Sequence, residues 1–557
     1  MVKYGGTTMN DHLQALRVRA RDAKREWLLA LEDPMGSQRR LLLESCVRPN
    51  VETVFGREHG FAHILDEHEY RRRVPIRDYA ALAPYIDRAA VGEKAVLTAE
   101  DPVAFNLTSG TMGPKKLIPS TRSFAERFEV PRILATLGNI FEYHPELLDR
   151  DDTTLNFLLS PFDRPAPPPI AAAAPQLPLS SRRRASPALL GTPGTMAPWS
   201  TAPPAVTDHA SLTYFRLRTT VESDLRAFFS INPSTLTTFA DELIELVPRL
   251  CEELRAGTML GAPGRPSNPA RAAEIESIVK QRGALRPIDL WPRISVISCW
   301  TAGACALYLP AVRAAYGDSV DFVRWASNAS EGPLEVPIDR EPAGPPAVQT
   351  VFYEFIAADT EVKSDTPTLL LDQLEDGKQY EVIITQSAGL YRYTMRDIVE
   401  VIGRYRGVPR LEFKRRRGSA HSFTGEKLTE HHVARSTQAA LEACNLAAVT
   451  VTCCPVWGTP PSYAFLFEPT RPWTDAEQRS LVAALDRELA ASNVEWTGKR
   501  ETNRIGSPTI IALSEGTFRR YRDRRIAGGE SAVQLKDHAL QVDPSVLAQL
   551  LALSQPR

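Results

Sequence analysis

The chain has 557 residues, roughly enough for three or four domains, or for one large α/β domain with a smaller companion. Its 66 Lys and Arg balance 67 Asp and Glu, so it lacks the basic excess that draws a protein to nucleic acid or an anionic membrane, which points to small-molecule or protein partners. The seven cysteines (Cys46, Cys251, Cys299, Cys305, Cys444, Cys453, Cys454) are odd in number, scattered and without CxxC spacing, which argues against a disulfide framework or a zinc site and fits a reducing cytoplasm.

The N-terminal stretch has no apolar leader and no later run reaches the ~18 apolar residues of a membrane span, so the chain reads as cytosolic. Asn10 or Asp11 is a plausible cap for an amphipathic helix carrying Leu13, Leu16, Trp27, Leu28 and Leu31. The segment "YRRRVPIRDYAALAPYIDRAAVGEKAVLT" mixes turn prolines with short helical pieces and leads into "FNLTSGTMGPKKLIPST", Phe105 to Thr121. Glycine there opens backbone conformations closed to other residues, hydroxyls donate hydrogen bonds and lysine brings charge, a composition suited to a polyphosphate. The spacing is not that of a Walker A loop; Thr108, Ser109, Thr111 and Lys116 are the groups expected to wrap the β and γ phosphates of ATP, if this is not an ordinary turn.

Residues 163–208 are dominated by Pro, Ala and Ser and cannot bury enough surface to offset their ordering entropy, which suggests an exposed insertion. Leu236, Phe239, Leu243 and Leu246 then mark an amphipathic helix. "WPRISVISCWTAGA" reads as a buried strand, Ile294 to Trp300, followed by a small-residue turn and a helix beginning near Cys305. "DFVRWASNASEG" reads as a strand ending in a polar turn, where Ser330 and Glu331 either line a nucleotide edge, with Glu331 reaching a magnesium ion, or form an ordinary capped loop. "KQYEVIITQSAGLYRYTMRDIVEVIG" reads as successive strands broken at Ala388-Gly389. Asp397, ending a segment rich in aromatic and arginine side chains, either accepts hydrogen bonds from both ribose hydroxyls or is an Asp in a strand-terminal turn ion-paired with Arg392 or Arg396. Interleaved strands and helices imply an α/β architecture. After "FKRRRGS" the pattern changes to a strand pair ("AAVTVTCCPVW", "SYAFLFEPT") and a helix from Asp475 to about Ala491 capped by Thr474, so a domain boundary is expected there, with a small α+β domain beyond it.

Taken in order, "FNLTSGTMGPKKLIPST", "WPRISVISCWTAGACALYLPAV", "ASEG", "YEF", "GLYRYTMRD", "GEKLTE", "GTF" and "GGESAVQLKDHAL" resemble the Gretchen Hagen 3 family, the auxin-responsive acyl acid-amido synthetases of the adenylate-forming superfamily, over most of the chain. The resemblance implies a large multi-sheet N-terminal domain (1–412), a hinge (413–418) and a smaller mobile α+β C-terminal domain (419–557). It also implies a two-step ligase: a carboxylic acid attacks the α-phosphate of Mg-ATP, and an amine or amino acid then displaces AMP from the acyl-adenylate. Thr108, Ser109, Gly110 and Thr111 match the phosphate loop, Ser330 and Glu331 the second nucleotide motif, Asp397 the ribose ligand, Lys427 a nucleotide-contacting lysine and Lys536 the late lysine of the small domain. A cation at position 536 would neutralise charge building up between carboxylate and α-phosphate, which requires the small domain to close over the large one.

Three departures stand out. Arg396 precedes Asp397 where the family usually has glycine, which implies a reshaped loop or one partly filled by the guanidinium; the second motif fits in two registers, Trp325-Ala326-Ser327 or Ala329-Ser330-Glu331, of which the glutamate favours the second; and 163–208 has no family counterpart. Adjacent pairs such as His431-His432 and Cys453-Cys454 diverge in direction and do not suggest a metal site. A coenzyme A or acyl-carrier ligase, and a degenerate relative acting as a binding partner, remain the alternatives. A monomer is expected, and the Ala, Arg and Pro richness is associated with a GC-rich bacterial genome.

Overall fold

Helix α1 (Met9–Ala30) places Leu13, Leu16, Ala20, Ala23 and Trp27 on one buried stripe. The structure, a computed structural model, describes residues 9–107, 116–157, 202–325, 329–417, 420–424, 426–458, 460–501 and 504–528, most of 535–554 and a few isolated positions. The expected insertion at 163–208 lies almost wholly outside the described residues. The chain divides into two compact units: Met1–Ile231, Leu243–Trp300 and Ser319–Phe413 form one, and Asn232–Glu242, Thr301–Asp318 and Lys414–Arg557 the other.

In the first unit, helix α2 (Tyr79–Ala90) starts where the Asp78 carboxylate accepts the Ala81 N–H at 3.1 Å. Strands β1 (Ala104–Leu107) and β2 (Leu117–Ser120) pair antiparallel, with Leu107 opposite Leu117, so they hold both ends of the intervening loop. Helix α3 (Val130–Tyr143) lies close against α1, and a Cβ at Gly138 would sit 2.3 Å from the Ala20 carbonyl oxygen. Four strands, β3 (Thr154–Asn156), β4 (Ala227–Phe229), β5 (Val296–Cys299) and β6 (Asp321–Arg324), form a parallel sheet in that order. The first three are buried throughout, as the strands of a parallel sheet covered on both faces are; the second and third read as largely apolar runs, while the first, Thr154-Leu155-Asn156, buries two polar side chains. An antiparallel sheet follows: β7 (Phe352–Ala357), β8 (Gln379–Gln386), β9 (Leu390–Tyr405) and β10 (Val408–Arg416), of which the part up to Phe413 falls in this unit. Gly389 turns the chain between β8 and β9 at φ 107°, and a Cβ there would lie 2.8 Å from that of Leu97.

In the second unit, part of α4 (Pro233–Ala256) and helix α5 (Leu309–Tyr316) join helices α6 (Glu430–Cys444), α7 (Asp475–Ser492), α8 (Thr517–Ala527) and α9 (Ser545–Ser554). They accompany a sheet of β11 (Ala448–Val456), β12 (Ser462–Pro469) and β13 (Thr509–Ala512), antiparallel then parallel. Thr474 caps α7 by accepting the Glu477 N–H, and Glu477 returns the bond. Asn232–Glu242 and Thr301–Asp318 fall in this unit although they precede position 412, because Tyr308 donates to Asp537 at 2.9 Å and Arg522 to Ser234 at 2.8 Å. The helix expected near Cys305 begins later, after a 3-10 turn over Gly303–Tyr308. Among the described residues no helix is long and apolar enough to cross a membrane.

Arg392 on β9 donates to both carboxylate oxygens of Glu354 on β7, at 2.8 and 3.0 Å, with 3% and 1% of the two side chains exposed. Removing one partner of such a pair strands a buried charge. Glu354→Ala should therefore lower the unfolding free energy by about 3–5 kcal/mol, read as a fall in the urea midpoint.

Candidate functional site

Strand β9 is bulged twice against β8, between Ile384 and Gln386 and between Glu381 and Ile383. At these places Arg392 and Arg396 take φ values of 46° and 61°, in the left-handed region. A bulge re-aims the side chains beside it, and the residues that follow the two arginines, Tyr393 and Asp397, are both buried. Asp397 is 7% exposed and lies within β9, not in the strand-terminal turn of the ion-paired alternative. Arg392 is committed to Glu354 and to the carbonyls of Arg71 and Val74, while the exposed Arg396 guanidinium lies 3.4 Å from the Asp78 carboxylate.

The Tyr393 hydroxyl accepts from Lys116 Nζ at 3.1 Å and donates to Glu331 Oε1 at 3.5 Å. The ammonium also sits over the rings of Tyr79 and Tyr393, 5.6 and 5.8 Å from their centroids. Tyr79 holds the start of β2 by accepting the Leu117 N–H at 2.8 Å, and burial pushes its phenol upward in pKa, so it stays neutral. A cation, a phenol and a buried carboxylate thus stand in a row at the end of the glycine- and hydroxyl-rich loop, four residues along the strand from Asp397. Such a row can hold an anion at one end and a cation or hydroxyl at the other.

Thr108, Ser109, Gly110 and Thr111 lie outside the described residues, as does Lys536. Of the second motif, Glu331 is buried, Ser330 is exposed, and the Ala329 N–H closes the turn onto the Gly332 carbonyl at 3.1 Å. In the competing register Trp325 is buried, and Ala326 and Ser327 lie outside the described residues. Lys427 belongs to the second unit, exposed, with φ 46°. Lys116, Glu331, Tyr393 and Asp397 belong to the first. Sequence reasoning missed Tyr79 and Tyr393; the aromatic run "GLYRY" marked the second, but which of its side chains faces Lys116 depends on the bulges.

Cys453 and Cys454 are buried, and burial raises both thiol pKa values, that of Cys454 to about 12, so neither is a thiolate at neutral pH. Among the described residues no three or more His, Cys, Asp or Glu side chains group around a metal position.

Residues 24–321, 345–416 and 430–545 match the GH3 family N-terminal, central and C-terminal domains. The chain is 24% identical over 542 residues to the 4-substituted benzoates-glutamate ligase GH3.12 of Arabidopsis thaliana, covering 89% of this chain and 91% of that protein. Its fold is similar to that of the AtGH3.15 acyl acid amido synthetase solved with 2,4-DB, with a TM-score of 0.76, 19% identity and coverage of 100% and 98%. It is also similar in fold to 2-hydroxyisobutyryl-CoA ligase in the postadenylation state, with a TM-score of 0.55, 10% identity and coverage of 94% and 93%.

The left-handed backbone at Arg396 is one that glycine adopts freely and that costs an L residue about 1–2 kcal/mol. Arg396→Gly should accordingly be about 1 kcal/mol more stable than Arg396→Ala, both having lost the guanidinium, when the two are unfolded in urea.

Proposed function

This chain belongs to the GH3 family, and from that premise we propose that it is an ATP-dependent acyl acid-amido synthetase, joining a carboxylic acid to an amine or amino acid through an acyl-adenylate. The observation that carries the site assignment is the chain of contacts Lys116–Tyr393–Glu331, in which Lys116 directly follows the hydroxyl- and glycine-rich segment in sequence and Tyr393 lies on the strand that bears Asp397. A carboxylate is electron-rich and hydroxide leaves poorly, so direct amide formation is slow. Attack of the acid's oxygen on the α-phosphorus of ATP expels pyrophosphate; attack of the amine nitrogen on the acyl carbon then expels AMP, a better leaving group, and the amine loses a proton.

In this reading Thr108, Ser109, Gly110 and Thr111 bind the β and γ phosphates with Lys116 beside them, and Tyr393 keeps the ammonium in place. The Asp397 carboxylate accepts from the ribose hydroxyls, and Ser330 and Glu331 border the nucleotide. Magnesium is commonly held by one or two carboxylates together with phosphate oxygens, so the buried Glu331 fits such an ion, which would supply neutralising charge at the pyrophosphate. Lys427 and Lys536 are the cations of the second unit, Lys536 opposing the charge that grows at the α-phosphate, and 413–418 serves as the hinge. The balanced charge and seven free cysteines support a cytoplasmic protein, the composition a bacterial one, and we assign it as a monomer.

Two outcomes test this. A panel of carboxylic acids should contain some that drive exchange of pyrophosphate into ATP; chelation should abolish the exchange and Mg2+ restore it, and supplying coenzyme A and amino acids in parallel should give amide only. Asp397→Ala should lower kcat/KM for ATP about 10- to 100-fold, the worth of one or two hydrogen bonds to a charged group, while unchanged exchange in this variant would overturn the ribose assignment.

A further inference from the structure

Lys427 is exposed, yet its backbone is held in the left-handed region, a conformation that persists in an L residue only where its surroundings fix it. The surroundings here converge on the residue before it. The Glu426 side chain is fully buried: one carboxylate oxygen accepts the Phe423 N–H at 2.6 Å and the Tyr463 hydroxyl, the other the Thr424 N–H at 2.9 Å and the Thr424 hydroxyl at 3.3 Å. Its main-chain oxygen accepts from Asn493 Nδ2 at 2.7 Å, and His421 Nδ1 lies 3.0 Å from the same Tyr463 hydroxyl. On the far side Leu428 is buried, and Thr429 both pairs with Ala420 and caps α6. Burial pushes the Glu426 carboxyl up in pKa, but the hydrogen bonds from Tyr463, Phe423 and Thr424 outweigh it and the net shift is downward, so the group is an anion at neutral pH.

We propose that Glu426 is a positioning residue for Lys427: by binding Phe423, Thr424 and Tyr463 its carboxylate fixes the main chain that enters Lys427 in the strained conformation that presents the ammonium to the nucleotide. An ionised carboxylate only accepts, which suits a position where four donors meet; glutamine would turn an NH2 toward them. The inference rests on the reading of Lys427 as a nucleotide-contacting residue, and its test separates the two.

The test is a double-mutant cycle on kcat/KM for ATP in acid-driven pyrophosphate exchange. Lys427→Ala should lower it at least 10-fold, Glu426→Gln by a comparable factor, and the double variant by no more than Lys427→Ala alone, because a misplaced lysine and an absent one are equivalent. Tyr463→Phe, which removes a single donor, should lower it severalfold in the parent and not at all in the Lys427→Ala background; it completes the cycle if Glu426→Gln proves unfolded by circular dichroism. Losses that multiply in the double variant would mean that Glu426 acts without Lys427 and would overturn the positioning role. Full exchange in Lys427→Ala would instead overturn the nucleotide-contact reading, and the positioning role with it.

Discussion

The buried pairing of Arg392 with Glu354 is the constraint on which the candidate site depends. Arg392 occupies the first bulge of β9, where its own backbone is unfavourable by about 1–2 kcal/mol. The guanidinium offsets this by binding both oxygens of Glu354 and the carbonyls of Arg71 and Val74, which ties the segment before α2 to the strand. The main chain repeats the tie: the Arg77 N–H donates to the Arg392 carbonyl at 2.9 Å and the Thr394 N–H to the Arg77 carbonyl at 2.8 Å. Tyr393 sits between those two bonds, and Tyr79 begins a helix two residues beyond Arg77. Both tyrosines that border Lys116 are thereby fixed by one ion pair that touches neither.

The bulge is itself built from hydroxyls. Thr385, on β8, accepts the Arg392 N–H at 3.0 Å and shares a hydrogen bond with the buried Tyr70 hydroxyl, so the extra residue costs the sheet no buried donor. The second bulge uses Thr394 in the same way, accepting the Arg396 N–H at 3.3 Å. With the bulge closed by its own threonine and Arg396 directed to Asp78, the left-handed residue keeps its long side chain at the surface and Asp397 keeps its buried place. The departure from glycine at position 396 is absorbed by exposure.

What was legible in the sequence follows the range of the interactions involved. Helix α7 starts at Asp475 behind Thr474 because the capping box is complete within four residues, and β8 and β9 break at Ala388-Gly389 because the turn needs a residue without a Cβ. Glu331 and Asp397 were legible as candidates only through the order of the short motifs that contain them, since each carboxylate alone fits an ordinary capped loop or ion pair equally well. The assignment of Asn232–Glu242 and Thr301–Asp318 to the second unit was not legible: it depends on Asp537 and Arg522 meeting residues more than two hundred positions away, and no local pattern announces such a pairing. The Lys116 to Tyr393 bond spans 277 positions and also depends on a register slip, which changes the face of every residue after it.

Seven residues other than glycine have positive φ among the described residues: Ala95, Leu260, Arg392, Arg396, Arg406, Lys427 and Asn445. Asn445 ends α6, and Arg406 and Leu260 lie in two-residue hairpin turns, where this conformation is ordinary, while Ala95 sits in a bend whose carbonyl accepts the Val54 N–H at 2.9 Å. Arg392, Arg396 and Lys427 have no such excuse, and each is next to a residue that the site reading uses or is itself one: Tyr393, Asp397 and Lys427. Two of the three are stabilised by a buried glutamate with its hydrogen-bonding capacity engaged, Glu354 for Arg392 and Glu426 for Lys427. A buried carboxylate is costly to desolvate, and a residue twisted out of its preferred basin is costly to hold; placed together, each gives the other a function, since the strained turn delivers the donors that the anion requires and the anion keeps the turn from relaxing. The same solution recurs in each unit taken by itself, on a bulged strand at Arg392 and in a loop at Lys427.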